Sequence, residues 1–501
     1  MNYSRHQRAI FKEVLTSSNN ILVKATAGSG KTTTLVEISK LLPSELNSIF
    51  VAFNRSIVEE LGKRLPPKFK VSTLHSLGNN MLFRTYGSAV KVNEKKSYRL
   101  AGKLFANSDL PPTTIAKSKY DLANAWNMVR VTLTDIRDTD AIEALFLKYE
   151  LPVSVHEFLA FHSIVDLYNN RQNLPSGSKY EIDFTDMVYL PVTLAHVITT
   201  TYDLVMIDEC QDLNLCQHAL LDRITSQRII SVGDPYQAIY GFSGADSNSF
   251  SKFTERNNTT CLPLSVSYRC AKRIVEEAQK YSPEITTNSS SPEGVVDWKG
   301  LDCAEAGDFV LCRNNDPLIE AYFDLIDQGK KAYIIGDELV GQYLKIVRPF
   351  KNRLLSSFFF HLDNLLESIK EQLFKKGVRV PSNTEVYQKQ ESINKALKIL
   401  AARVSTVSQL IDRIQDIFHP QKNSIILSSI HKSKGLEADR VFLLRWDLIP
   451  SKFAKTRESL IQEKNLQFVA ITRAKRALYF VPYEEQITSE KDSIDLMAVE
   501  M

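Results

Sequence analysis

Cysteine is scarce in this sequence, and the few cysteines present do not pair by spacing. Six occur in 501 residues (Cys210, Cys216, Cys261, Cys270, Cys303 and Cys312), none in a Cys-x-x-Cys arrangement. That argues against a disulfide scaffold and against a zinc or iron–sulfur centre held by clustered thiols. It fits reduced, mostly buried thiols in a cytoplasmic compartment, or a nuclear one in a eukaryote. Long apolar runs are also missing. Ile49–Phe53 and Ile425–Leu427 are typical of the longest, far short of the roughly 20 residues of a membrane-spanning helix, so no membrane partner is expected. Met1–Arg5 carries charge with no apolar stretch behind it, so no secretory leader is expected. Nor is there a strong excess of one charge. A net charge of +4 permits a nucleic-acid partner without indicating one. No internal repeat or low-complexity tract stands out. What remains, 44% hydrophobic and 24% charged residues, is the composition of a globular protein. The length predicts two to four domains.

The pattern along the chain predicts a parallel α/β architecture twice over. A helical stretch around Gln7, Ile10, Phe11 and Leu15 leads into a strand-like Ile21-Leu22-Val23. A glycine-rich turn, a helix over Thr33–Leu42 and a second β run at Ile49–Phe53 follow. From Lys95 to Arg171 apolar residues recur at helical spacing, as in Leu122, Trp126 and Val129, which reads as a helical insertion. Strands resume at Leu204–Ile207 and Ile229–Val232. A second α/β block begins near Leu262, with β runs at Asp308–Cys312, Tyr333–Ile335, Ile425–Leu427 and Val441–Leu444. It too is interrupted by helices. Leu355, Phe358, Phe359, Leu362, Leu366, Ile369 and Leu373 share one face of a long helix, read as a core stripe beneath a charged outer face.

Two motifs carry chemistry. Ala25-Thr26-Ala27-Gly28-Ser29-Gly30-Lys31-Thr32, with Thr33 next, follows an apolar strand and opens a helix, the setting of a phosphate-binding P-loop. Glycines let the backbone wrap phosphates with its N–H groups pointing inward. Lys31 would reach the β- and γ-phosphates of ATP, and the Thr32 hydroxyl would hold Mg²⁺. Downstream, Leu204-Val205-Met206-Ile207 is a buried-strand pattern ending in Asp208 and Glu209. A carboxylate there can fix Mg²⁺ beside Thr32, and its neighbour can polarise water. Asp208 is assigned to the metal and Glu209 to the attacking water; the alternative is an acidic strand end in solvent.

With Gln211 and Asp212 the acidic block reads Asp-Glu-Cys-Gln-Asp, and here a family resemblance enters. The block resembles motif II of the UvrD/Rep branch of superfamily 1 DNA helicases. Gly233–Ala245 resembles motif III, Leu264–Arg269 motif IV, His431–Glu437 motif V and Phe468–Lys475 motif VI. Thr73–Leu77 and Asp183–Asp186 also match family blocks in the right order. Ala52–Leu61 is similar to the motor of F-box DNA helicases and their small phage and bacterial relatives. The family implies two RecA-like parallel-sheet P-loop NTPase core domains, each with a helical insertion. The expected division is 1–90 and 181–262 for the first core domain and 91–180 for its insertion. It continues with 263–339 and 421–485 for the second core domain, 340–420 for a short insertion, and a 486–501 tail.

Roles follow by matched position. Gln7 corresponds to the adenine-reading glutamine, although alone it reads as a surface helix residue. Tyr268 matches the ring that stacks on the base, Glu437 the ribose-holding residue, and Gln237 the sensor of the γ-phosphate and its water. Arg269 and Arg473 match arginine fingers of the second core domain, whose forks stabilise charge on the transferring phosphoryl group. Phe53, His75, Tyr240, Phe242 and His431 match contacts to single-stranded DNA, since an aromatic grips any base through its π-face. For Phe53, at a strand's end, a core role stays equally open; Phe242 sits in a glycine-flanked turn, where a core anchor is less expected. Ser243 and Ser267 depart from the family's usual arginine and asparagine.

The resemblance implies an ATP-dependent 3′→5′ helicase or translocase acting on single-stranded DNA and duplex junctions, in replication, recombination or repair. The second insertion is short for the family. That leaves open a translocase that strips proteins, or one needing a protein partner to unwind. A second hypothesis is a non-unwinding subunit that uses the motor fold as a DNA-binding platform, for example in anti-phage defence. A P-loop kinase, the third, leaves the motifs from Gly233 to Lys475 without a job.

Overall fold

Apolar runs bounded by turn residues become strands in the order β1 Asn20–Ala25, β2 Ser48–Val51, β3 Lys70–Ser72, β4 Val90–Val92, β5 Tyr180–Ile182, β6 Tyr202–Ile207, β7 Thr225–Gly233 and β8 Thr259–Leu264. The computed structural model describes residues 3–87, 90–169, 180–241, 244–246, 248–375 and 377–483, apart from the side chains at 113, 337 and 338. The chain folds as two compact units, Met1–Ser265 and Val266–Met501.

In the first unit a sheet runs β3-β2-β6-β7-β1-β8 with every pairing parallel. Its central strands are buried on both faces, so they lose the in–out alternation of a half-exposed strand. Ile21 and Val23 of β1 pack with Ile10, Val14, Leu35 and Ile38, while Leu22 between them packs with Leu74, Leu77 and Leu220. The predicted run Ile49–Phe53 ends two residues early, at Val51. Asn54 takes over as a helix cap, its side chain accepting from Ile57 N–H at 3.0 Å, and turns the chain into the helix Arg55–Arg64.

Four helices (Lys96–Leu104, Pro112–Val131, Thr139–Lys148 and Val155–Asn169) lie between β4 and β5, which pair as a separate parallel ladder. They have a core of their own, including Leu100, Trp126, Phe146, Phe158 and Phe161. A buried charge cluster ties this group to the helix Phe184–Thr193. Arg130 donates to Asp183 at 2.7 and 3.0 Å and to Asp186 at 2.7 Å, and Lys96 donates to Asp186 at 2.8 Å. Burial pushes the Asp183 carboxyl up, but Arg130 outweighs it and the net shift is down. The same two aspartates form the capping box of Phe184–Thr193. That helix in turn approaches Leu74–Tyr86 so closely that a Cβ on Gly78 would lie 1.7 Å from Met187 O.

The second unit begins with β9 Val266–Ser267, which pairs with β10 Thr286–Thr287. β11 Val295–Trp298, β12 Phe309–Cys312, β13 Ala332–Ile335, β14 Ile425–Ser429, β15 Ala438–Leu443 and β16 Ala474–Phe480 form a second parallel sheet, in the order β11-β16-β15-β12-β14-β13. Helices Asp337–Val347, Leu355–Lys375, Glu385–Ala401 and Val407–Ile417 fall between β13 and β14. Unlike the first group they share the sheet's core: Phe358, Leu362, Leu397 and Ile414 pack with Val310, Ile334 and Leu427. The stripe on the long helix is fully buried only at Phe358 and Leu362, and Leu366, Ile369 and Leu373 are half-buried. Among the described residues no helix is long and apolar enough to cross a membrane. Four of the six cysteines are buried.

Candidate nucleotide site and nucleic-acid track

β1 delivers the P-loop at the carboxyl end of the sheet, where ligands of parallel α/β folds gather. Thr26 N–H donates to Leu264 O and its hydroxyl to Ser265 O, both at 3.1 Å, pinning the loop's start to the chain leaving β8. Ser29 folds back on Thr26 O at 2.8 Å, and Ala27 is fully buried. Gly28 and Gly30 take φ +70° and +82°, and Gly30 caps the helix Lys31–Leu41. Gln7 is buried rather than on the surface, with Nε2 donating to Thr34 Oγ1 at 3.1 Å. Thr33 is half-buried.

β6 places Asp208 and Glu209 against this loop. Thr32 Oγ1 donates to Asp208 Oδ2 at 2.7 Å, and Lys31 Nζ lies 3.0 Å from Glu209 Oε1. Glu209 itself takes a left-handed backbone (φ 53°, ψ 41°), which a non-glycine residue holds only when its surroundings enforce it. Burial, then the Glu209 charge, pushes Asp208 up to about 6 against the pull of Lys31 and Thr32. Asp234, at the end of β7, is likewise pushed up to about 6 by burial. Burial alone would depress the Lys31 ammonium, but Glu209, Asp234 and Asp208 outweigh it and raise it.

Three carboxylates thus surround one lysine. Two of them are driven toward the neutral form, the behaviour of a site that gains from a further cation. Thr32 Oγ1 and the Asp208 carboxylate are hard oxygen donors. They suit Mg²⁺, which keeps water and phosphate oxygens in its remaining positions.

Two buried residues gain a place that the sequence reading did not give them. Gln211 Nε2 donates to Glu209 Oε2 at 2.6 Å, and its Oε1 accepts from Asp234 N–H at 3.0 Å. Asp234 Oδ2 accepts from Gln237 Nε2 at 2.6 Å, so Gln237 reaches the site through Asp234. Both lie inside recognised blocks; a Gly-Asp pair closing a buried strand was the available signal for Asp234.

Behind the acidic turn, Ser249 Oγ donates to Cys210 O at 2.7 Å and lies 2.8 Å from His218 Nε2. Because the hydroxyl proton goes to the carbonyl, His218 donates through Nε2–H. Burial, then Arg256 and Lys252, holds this ring neutral, its pKa lowered to about 3. An unfolded histidine titrates near 6.5, so the unfolded chain binds more protons below that pH. Stability is therefore kept above pH 6.5 and lost as pH falls from there toward 3, by about 2 kcal/mol between pH 7 and 5. In urea denaturation of the first unit's signal, His218→Gln is expected to remove that part of the acid loss; an unchanged pH slope would show the ring is not held neutral.

Phe53, His75 and Tyr240, the described candidate DNA rings of the first unit, follow β2, β3 and β7 at the same end of the sheet. Phe53, just past β2, is 46% exposed, which excludes the core role left open above. It stacks on Tyr240, with centroids 6.1 Å apart and planes 11° apart. His75 sits half-buried in the first turn of Leu74–Tyr86, behind the Thr73 cap, and burial lowers its pKa. Phe242 and Ser243 lie outside the described residues.

In the second unit Tyr268 is 47% exposed. Arg269 Nε lies 2.5 Å from Glu437 Oε2, and Lys475 Nζ is 2.7 Å from Glu437 Oε1. Burial would raise the Glu437 carboxyl, but the two cations hold it below its usual range. Arg473 is only 1% exposed and donates to Val469 O at 2.9 Å, Leu436 O at 3.1 Å and Thr472 Oγ1 at 3.2 Å. It therefore braces the His431–Glu437 turn from within. His431 is half-buried, and burial with the Arg313 charge lowers it to about 3.

Comparison with known proteins decides the family. Residues 5–258 match the UvrD/REP helicase N-terminal domain, and residues 214–485 the UvrD-like helicase C-terminal domain. The chain belongs to the UvrD-like helicase family. It is 25% identical to F-box DNA helicase protein 1 of Schizosaccharomyces pombe, over 94% of this chain and 56% of that protein. Identity to F-box DNA helicase 1 of Gallus gallus is 23%, over 95% and 48%. ATP-dependent DNA helicase PcrA of Staphylococcus aureus is 25% identical over 56% of this chain and 40% of the relative. The chain spans about half the length of the curated relatives it matches.

Proposed function

We propose that the protein is an ATP-dependent DNA helicase or translocase that moves 3′→5′ on single-stranded DNA, coupling ATP hydrolysis to strand separation or protein displacement. The observation that carries this reading is the pairing of Lys31 with Glu209 and of Thr32 with Asp208 at 3.0 and 2.7 Å, beneath a P-loop. Thr32 and Asp208 would hold Mg²⁺, which when bound supplies positive charge to the β- and γ-phosphates. Lys31 leaves Glu209 to neutralise the phosphates. Glu209, freed of that ion pair, accepts a proton from water as the water oxygen bonds to the γ-phosphorus and the bond to the β–γ bridging oxygen breaks. Gln237 orients that water, and Arg269 and Arg473 stabilise the charge spreading over the transferring group. Gln7, Tyr268 and Glu437 hold the base and ribose.

Phe53, His75, Tyr240, Phe242 and His431 form the grip on the strand. The division into two core domains with insertions at 91–180 and 340–420 is part of the same reading. Support comes from a family that is named for helicases and from the exposed Phe53 ring stacked on the half-buried Tyr240.

ATPase assays with and without single-stranded DNA, followed by strand displacement on 3′- and 5′-tailed duplexes, test the reading. Stimulated turnover with displacement of 3′-tailed substrates alone is expected. Turnover indifferent to DNA would favour a DNA-binding subunit, and displacement from 5′ tails would reverse the polarity. Phe53→Ala is expected to weaken single-stranded DNA binding by about 1–3 kcal/mol, roughly 5–150-fold in Kd, with KM for ATP unchanged. An unaltered Kd in fluorescence anisotropy would remove Phe53 from the track.

A further inference from the structure

Resting on the ATPase reading above, we infer that Gln211 is a positioning residue for hydrolysis, tying the Glu209 carboxylate to the Asp234–Gln237 segment that leads to Tyr240. Its carboxamide has one workable orientation. Nε2 faces two carboxylates, Glu209 Oε2 at 2.6 Å and Asp212 Oδ2 at 3.2 Å, while Oε1 faces the Asp234 N–H at 3.0 Å. Turning the amide over would set oxygen against carboxylate and N–H against N–H. The side chain is 1% exposed, so solvent does not replace these bonds.

Room for that side chain comes from its neighbour on β7. A Cβ on Gly233 would meet Cys210 Sγ at 2.6 Å and Gln211 Oε1 at 2.7 Å. Glycine is needed there for space.

The arrangement explains how Glu209 keeps its strained backbone. Lys31 and Gln211 both hold its carboxylate. ATP draws Lys31 toward the phosphates, and the Gln211 amide then keeps the carboxylate aimed. Oε1 of the same amide is fixed by Asp234, whose carboxylate holds Gln237. Tyr240, stacked on Phe53, lies three residues beyond Gln237. A short, buried chain of hydrogen bonds therefore runs from Gln237 to the carboxylate that activates water, and three residues of backbone join it to the Tyr240 ring, a contiguous route for DNA occupancy to reach turnover.

Gln211→Met keeps the length and volume of the side chain while removing its donors and acceptor. With saturating single-stranded DNA, kcat is expected to fall by about 10–100-fold, the usual effect of losing a residue that orients a reacting group. KM for ATP and Kd for DNA should stay near wild type, while Tm falls by a few degrees because the buried Asp234 N–H loses its acceptor. In a Glu209→Gln background the same change should add no further loss, because it acts through Glu209. Gln211→Asn, which retains an amide but falls short of Glu209, should behave as Gln211→Met does and guards against a folding defect in the first variant. Wild-type turnover in both variants, or an equal loss in both backgrounds, overturns the inference while leaving the ATPase reading intact. A wild-type protein with no DNA-stimulated turnover overturns both.

Discussion

Glu209→Gln is expected to reduce kcat for ATP hydrolysis by roughly 10²–10⁴-fold, the contribution of a well-placed general base. ATP and single-stranded DNA should still bind, because the amide is nearly isosteric and Lys31 keeps its phosphate-facing role. Removing the charge also relieves the crowding of Asp208, whose carboxyl is pushed up by burial and then by Glu209. Lys31 loses its ion-pair partner in exchange, so the two effects oppose each other and stability in the absence of nucleotide should change little. Fluorescent-nucleotide binding, single-turnover hydrolysis and thermal melting on one preparation separate these effects. Hydrolysis at the wild-type rate would refute the assignment of Glu209.

Arg269→Ala is expected to cost roughly 10³–10⁵-fold in kcat if its guanidinium serves as an arginine finger. Its environment makes this a clean test. Glu437, its ion-pair partner, keeps Lys475 at 2.7 Å, so the substitution strands no buried charge and should leave Tm almost unmoved. Arg269→Lys should recover little, since an ammonium does not reproduce the planar fork. Arg473 is the contrasting case. With its donors on Val469 O, Leu436 O and Thr472 Oγ1, its removal deletes three hydrogen bonds of a buried side chain, at about 0.5–1.5 kcal/mol each. Arg473→Ala should lower stability and turnover together. Steady-state kinetics with single-stranded DNA at saturation, beside melting curves, distinguishes the two arginines; an Arg269→Ala enzyme within tenfold of wild type would leave the finger to Arg473 or to neither.

Much of this was legible in the linear chain because its signals are local. Ile21-Leu22-Val23 and Leu204–Ile207 announce central strands by being apolar throughout, since both faces of a parallel strand are covered. The P-loop is readable from the glycines at 28 and 30, which the turn into the helix requires at positive φ. Thr32 and Asp208 were pairable on paper because Thr32 opens the helix that follows the phosphate loop and Asp208 directly follows a buried strand. The family blocks supplied the order of the rest.

Contacts between distant segments are what sequence could not supply. Patterning predicts helices after β4 and after β13 alike. Only the packing decides that the first group closes around its own Trp126 and Phe158, while the second shares the sheet's core. Gln7 and Phe53 were undecidable by pattern alone for the same reason: the helix residue is buried, with its amide on Thr34 beside the phosphate loop, and the ring past the strand's end stands in solvent. Gln211 and Asp234, 23 positions apart, become partners because β6 and β7 are neighbours in the sheet. Periodicity and turn chemistry are properties of a few consecutive residues, and the sequence determined those. Burial, charge crowding and hydrogen-bond partners depend on which segments meet, and tertiary structure alone decided them.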